Sequence, residues 1–191
     1  TNPIAVAVPA AAEAPVVLDM ATTVAAYGKV KTKAQRGELM PEGWMIDREG
    51  RPLLDPRRAG EGFLLPIGGY KGYGLALMIG LLAGTLNGAA MGKEVVDFNA
   101  DDTTRTNTGH AIVAINVEAF HPVAEFKQAV DTLVRDLRNS RTLPGFDRIR
   151  LPGEGSHAAR TDRLANGVPI PAPLRSALDA LASDLKIAPL A

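Results

Sequence analysis

Residues 68–74, GGYKGYG, set one cation, Lys71, among Gly68, Gly69, Gly72 and Gly74, and an apolar run follows from Leu75. Glycines leave backbone N–H groups open to an anion, a helix start carries partial positive charge, and Lys71 adds a full one. That is the chemistry of a phosphate or carboxylate cradle. The same residues also read as a glycine-rich turn feeding a buried helix. Neither GxGxxG nor GxxxxGK[ST] can be drawn through these glycines, which sets aside the two common nucleotide loops.

Other stretches carry weaker signals. Asp19, Thr22 and Thr23 fall where an apolar run, VVLD, passes into a helix-like segment. An acid and two threonines there can bind sugar hydroxyls, or simply cap the helix. Glu154 lies between Gly153 and Gly155, where the backbone is open to a ligand, although turn chemistry also explains the pattern. Lys29, Lys31 and Lys33 alternate with Val30 and Thr32. This reads as an edge strand with one cationic face, a guard against aggregation, or as a grip on a ligand phosphate. Asp97, Asp101 and Asp102 hint at a divalent cation but lack the ordered spacing of a calcium loop, so a solvated loop and no metal site are expected. His110 and His121 flank an expected strand, and nothing in the sequence pairs either with an acid or a serine. No hydrolytic triad can be assembled.

Composition bounds what these residues can serve. The 191 residues carry 21 basic and 21 acidic side chains, and formal neutrality argues against an electrostatic nucleic-acid binder. The absence of cysteine excludes disulfides and thiolate metal sites and fits a reducing cytoplasm. Gly72–Gly92 holds no charge, yet its recurring glycines and Asn87 favour a buried helix over a membrane span.

The elements that must position these loops follow from periodicity. Ile4–Val8 and residues 15–19 read as short strands. From Leu75, the residues Met78, Ile79, Leu82 and Leu86 follow one helical face, and the other positions are small or apolar too. A helix apolar all round predicts burial against a sheet, over Gly72–Leu86, with Gly80 and Gly84 as notches for a close neighbour. Residues 40–56 read as an irregular loop anchored by Trp44, with a turn at Asp47–Gly50. AIVAINV (111–117) reads as a strand, and 122–139 as an amphipathic helix opened by Pro122. Residues 148–160 read as a strand turning at Pro152–Gly155, and a last helix begins near Pro173.

TNPIAVAVP, VVLDMATT, LPIGGYKGYGLALMIGLLAGTLNGA and LPGE, in this order, resemble the malate/L-lactate dehydrogenase family, which also holds ureidoglycolate and sulfolactate dehydrogenases, diketogulonate reductase and the piperideine-2-carboxylate reductases. The resemblance covers essentially the whole chain. It implies a mixed α/β fold, largely antiparallel sheet flanked by helices, with a non-Rossmann NAD(P)-binding architecture, and a cytoplasmic homodimer. It implies an oxidoreductase that uses NAD or NADP to interconvert a 2-hydroxy acid and a 2-oxo acid, or that reduces a cyclic imino acid. A non-catalytic nucleotide- or partner-binding fragment is the rival. By matching position, Leu18, Asp19, Met20, Ala21, Thr22 and Thr23 resemble one cofactor-binding turn, Tyr70 and Lys71 a second contact, and Gly153 and Glu154 a third. Gly155 departs from the larger residue common after that glutamate. In the family the catalytic histidine and the carboxylate-gripping arginine precede the TNP segment, and His110, His121 and His157 match no motif. The resemblance therefore implies a C-terminal portion with no catalytic residue of its own. Residues 1–147 would be a cofactor domain truncated at its start, and 148–191 a strand–turn–helix segment packing on the missing N-terminal part. No nucleic acid and no membrane enter this picture.

Overall fold

The computed structural model describes residues 2–97, 101 and 103–190. The two branched-residue runs near the start form a hairpin. Strand β1 (Ile4–Val8) pairs antiparallel with β2 (Val16–Met20), Ile4 lying opposite Met20 and Val8 opposite Val16. A second antiparallel pair joins β3 (Met45–Asp47) to β4 (Gly62–Leu64). Among the described residues these two small sheets are the whole of the β-structure apart from isolated bridges. Five helices accompany them: α1 (Tyr27–Arg36), α2 (Tyr70–Ala83), α3 (Val123–Asn139), α4 (Glu154–Asn166) and α5 (Ala172–Leu185). The mixed α/β, antiparallel class matches expectation.

The best-buried cluster sits where the sequence reads as loop. Val30 of α1 packs with Met40, Met45, Leu53 and Ala59, and Trp44 and Leu64 lean against it. The expected turn at Asp47–Gly50 is present: Gly50 N–H donates to Asp47 O at 3.1 Å, and Gly50 has φ +81°. The segment 40–56 is nevertheless not one irregular loop. It contains β3, whose partner strand lies 15 residues onward, beyond the reach of local periodicity.

Lys29, Lys31 and Lys33 lie on helix α1, not on an edge strand. Five alternating residues are too few to fix a period of two. The deciding features are Val30 as an anchor in the cluster and Gly37 as a left-handed cap (φ 66°) after the last turn. Lys33 Nζ meets Glu38 at 2.6 Å, and Lys31 Nζ lies 5.7 Å from the centre of the Tyr27 ring.

Two further expectations fail in an instructive way. Helix α2 begins at Tyr70 and ends at Ala83, and it is not buried: Met78 is 55% exposed and Leu82 46%. Only its Gly72 and Gly80 are buried. Gly80 does serve as a notch, since a Cβ there would stand 2.7 Å from Asn2 Nδ2. Residues 111–117 form no strand. Ile112 is 94% exposed and Val113 82%, and no backbone hydrogen bond joins 111–115 to another described residue. The residue types are right for a strand, but a strand exists only with a partner.

Helix α3 starts directly after Pro122, as expected. The expected strand at 148–151 is absent, and α4 occupies residues that read as a turn and its continuation. Helix α5 lies where the leucine stripe predicts it. His121 stands 3.5 Å from the exposed Glu125 carboxylate, a pairing across one helical turn that the linear reading missed. Asp101 accepts hydrogen bonds from Thr103 and Thr104, which hold its carboxyl well below the ordinary value. Asp102 lies outside the described residues. Among the described residues no cluster suits a metal ion, and no helix is long and apolar enough to cross a membrane.

Candidate functional site

Strand β2 and the turn after it form the hub on which the three candidate loops meet. Val17 N–H donates to Pro152 O at 3.2 Å, which brings Gly153 and Glu154 beside β2. Past the strand, Ile67 N–H donates to Thr22 O at 3.1 Å and Val24 N–H to Leu65 O at 2.8 Å. Thr23 and Pro66 form an antiparallel bridge between those bonds. The loop that leads into Tyr70 and Lys71 is thereby zipped to the Asp19–Thr23 turn. Segments about 45 and 135 residues away in sequence are thus held to one short strand and the turn after it.

Each loop has a local physical reason for its shape. Gly68 (φ 59°) and Gly69 (φ 60°) occupy the left-handed region, and nothing lies within 4 Å of a Cβ built on either. The approach to the α2 N-terminus is therefore open. Tyr70 is 81% exposed and Lys71 is exposed beside it. Gly72 follows, buried, where a Cβ would collide with Ile67 O at 1.7 Å. Gly153 (φ 83°) is the most constrained turn, since its Cβ would stand 2.8 Å from Val17 O. Only glycine permits that conformation at that distance from β2.

The members differ in what they offer a ligand. Asp19 presents an exposed side chain opposite Ala5. Thr22 is 1% exposed, and its Oγ1 accepts the Asn2 N–H at 3.3 Å. Thr23 donates its hydroxyl to Ala25 O at 2.9 Å. The two threonines thus shape the turn, while the side chains of Asp19 and Lys71 are exposed. Asn2, missed by sequence reasoning, also donates its Nδ2 to Ala76 O of α2 at 2.8 Å. It ties the start of β1 to both the threonine turn and the helix behind Lys71. Its only sequence signal was its place in the TNP segment.

A charged network stands behind the third loop. Asp131 of α3 is buried, and its carboxylate accepts N–H bonds from Ala11, Ala12 and Glu13 at 2.9–3.2 Å. Those bonds, Ala12 foremost, hold Asp131 below its ordinary value against the opposing pull of burial. Glu13 bridges Arg138 at 2.6 Å and Arg135 at 3.0 Å, and both lower its carboxyl, Arg138 the more. Arg138 Nε then reaches Glu154 Oε1 at 3.5 Å, while Glu154 Oε2 accepts the Leu151 N–H at 3.2 Å. Glu154 is pinned on both oxygens, to its own turn and to α3. No short-range pattern in the sequence links residues 13, 131, 138 and 154.

The cluster offers open N–H groups and a cation at a helix start, an exposed carboxylate, and rigid turn backbone. This donor set fits a ligand that carries both phosphate and hydroxyl groups. The family model for malate/L-lactate dehydrogenase matches residues 1–179. The chain belongs to the malate/L-lactate dehydrogenase family. Among relatives in that family, the malate dehydrogenase of Pyrococcus abyssi is 39% identical over 178 residues, covering 89% of this chain and 48% of its own. A ureidoglycolate dehydrogenase (NAD(+)) of Escherichia coli K12 is 34% identical over 170 residues, again 89% and 48%. The solved sulfolactate dehydrogenase from Methanocaldococcus jannaschii superposes with a TM-score of 0.82 at 37% identity, over 97% of this chain and 52% of that one. The chain spans about half the length of the curated relatives it matches.

Proposed function

We propose that this chain is the cofactor-binding portion of an NAD(P)-dependent oxidoreductase that interconverts a 2-hydroxy acid and a 2-oxo acid. The observation that carries this reading is that backbone hydrogen bonds tie the segment leading to Tyr70–Lys71 to the turn after β2, at Thr22–Val24, and the Gly153–Glu154 turn to β2 itself. A dinucleotide is long, and its phosphates and sugars need separate grips on one surface. In this reading Lys71 and the α2 N-terminus take the pyrophosphate. Asp19 and the backbone of Leu18, Met20 and Ala21 take sugar hydroxyls, Thr22 and Thr23 hold that turn, and Gly153 with Glu154 closes the third side. The nicotinamide supplies hydride transfer. The protein groups described here bind and orient; none is a proton donor over a substrate carbonyl. A general acid and a carboxylate clamp must come from a polypeptide segment preceding the TNP motif.

The same reading makes the complete protein a cytoplasmic homodimer acting on a small 2-hydroxy or 2-oxo acid. Residues 1–147 then serve the cofactor, and 148–191 pack back on the preceding segment. The test is a fluorescence titration with NADH and NADPH of the complete polypeptide and its Lys71→Ala variant. Loss of one charge-assisted contact should raise the Kd roughly ten- to a hundredfold. An unchanged Kd would leave the glycine-rich loop a structural turn only.

A further inference from the structure

Along α3 only Asp131 and Val134 are buried. A carboxylate in that position is tolerated because it is fully engaged. It accepts the N–H groups of Ala11, Ala12 and Glu13, which fixes the loop between β1 and β2 to the helix, and it meets Arg135 Nη2 at 3.1 Å. Asp131, Arg135 and Arg138 share one helical face. Along that face the contacts pass from acid to base in sequence. Arg135 Nε and Arg138 Nη1 both hold Glu13, and Arg138 Nε reaches on to Glu154. Arg138 thus uses two different nitrogens on two acids from opposite ends of the chain. A guanidinium presents such donors in a rigid plane, which a lysine ammonium does not.

A solvated ion pair adds little. Arg150 and Asp147 are of that kind, 3.9 Å apart with 69% and 76% of their side-chain surface exposed. Glu13 and Glu154 keep only 21% and 23%. The backbone of Glu13 is already held by Asp131, so less freedom is lost when the arginine binds. The Glu154 end is closed as well. Its N–H donates to Leu151 O and its Oε2 accepts the Leu151 N–H, each at 3.2 Å, while Oε1 faces Arg138. We infer that Arg138, aimed by Glu13, is the positioning residue of the third loop: it fixes Glu154, and Glu154 fixes the Gly153 turn against β2 in the shape a ligand meets. The Glu154 carboxylate acts on its own turn and not on the ligand. That the ligand is a dinucleotide rests on the function proposed above.

The experiment reads two quantities on the complete polypeptide, amide exchange without cofactor and the Kd for NADH and NADPH. In Arg138→Met the amides of Leu151 and Val17, bonded to Glu154 Oε2 and Pro152 O, should exchange at least tenfold faster. The Ile67 amide, bonded to Thr22 past the other end of β2, should not change. The cofactor Kd should rise about tenfold, as for one lost charge-assisted contact, and Arg150→Met should leave it unchanged. Glu154→Gln should match Arg138→Met, and the double variant should stay within twofold of either, because both changes remove one link. Multiplying effects in the double variant would mean that one of the two side chains meets the ligand itself, and would overturn the inference. A wild-type Kd in Arg138→Met, or a rise equalled by Arg150→Met, would overturn it while leaving the cofactor reading intact. If the wild type binds neither cofactor, that reading falls alone and exchange decides: unchanged Leu151 and Val17 amides in Arg138→Met overturn the positioning role, and faster ones uphold it.

Discussion

The β2 hub and the α2 surface are neighbours in one chain but obey opposite economies of contact. Around β2 the polar groups find partners inside the chain: Thr22 holds Asn2, Asp131 takes three N–H groups, and Glu13 bridges two arginines. Along α2 and 111–116 most of the large apolar groups stand in water, Ile112 almost fully. The difference teaches that polar turns can be closed by hydrogen bonds within the chain while apolar faces of the same chain stay uncovered.

The comparison breaks most sharply at Gly153. Gly153→Val puts a β-branched residue at φ 83° with its Cβ 2.8 Å from Val17 O. Strain of this kind should cost about 3 kcal/mol, read by urea unfolding, and should loosen the third loop from β2. A wild-type midpoint would mean that 153 is free to move and that the hub is held elsewhere. Next, Asp131→Ala leaves the N–H groups of Ala11, Ala12 and Glu13 without their acceptor, and the melting temperature should fall on the order of 5 °C. The matching change on the open side, Leu82→Ala, should do far less.

Acid provides a graded version of the same test. Glu13 and Asp131 have folded-state values below their ordinary 4.5 and 3.8. Carboxyls depressed by folding contribute stability that is fully present above those ordinary values and is lost as the pH falls through the lower folded ones. Melting temperatures should hold from pH 7 to about 5 and decline below, and Asp131→Asn should flatten part of that decline. The smallest effect is expected at Leu82. In the chain alone Leu82→Ala should cost less than about 0.5 kcal/mol, because the side chain is already half in water. In the complete polypeptide the same change should cost about 2–5 kcal/mol, the figure for a buried leucine. A large cost in the chain alone would show α2 packed within it.

What was legible in the sequence was local. The first hairpin, α3 and α5 follow from their own residue patterns, and the α/β class follows from them. The three candidate loops stood out individually by glycine and charge, and the family resemblance joined them. Their meeting on β2 depends on Val17 with Pro152 and Thr22 with Ile67, pairings that no spacing rule reports. The lysines of α1 misled because alternation over five residues fits either period. Residues 111–117 were read as a strand and α2 as a buried helix from residue type alone, and both readings fail, because strand pairing and burial depend on a partner and not on a residue run. Glu154 was recognised for its glycine neighbours, while the arginine that pins it, Arg138, came from the last turn of a helix read for its apolar face.

Helix α2 links the two regions. Its fourteen residues span about 21 Å, with Lys71 at one end and the exposed leucines along the body. Any coupling between a ligand at the Lys71 end and a partner on the body would have to be carried by this helix, and linkage would make it reciprocal. Whatever factor the partner adds to ligand affinity, the ligand returns to the partner.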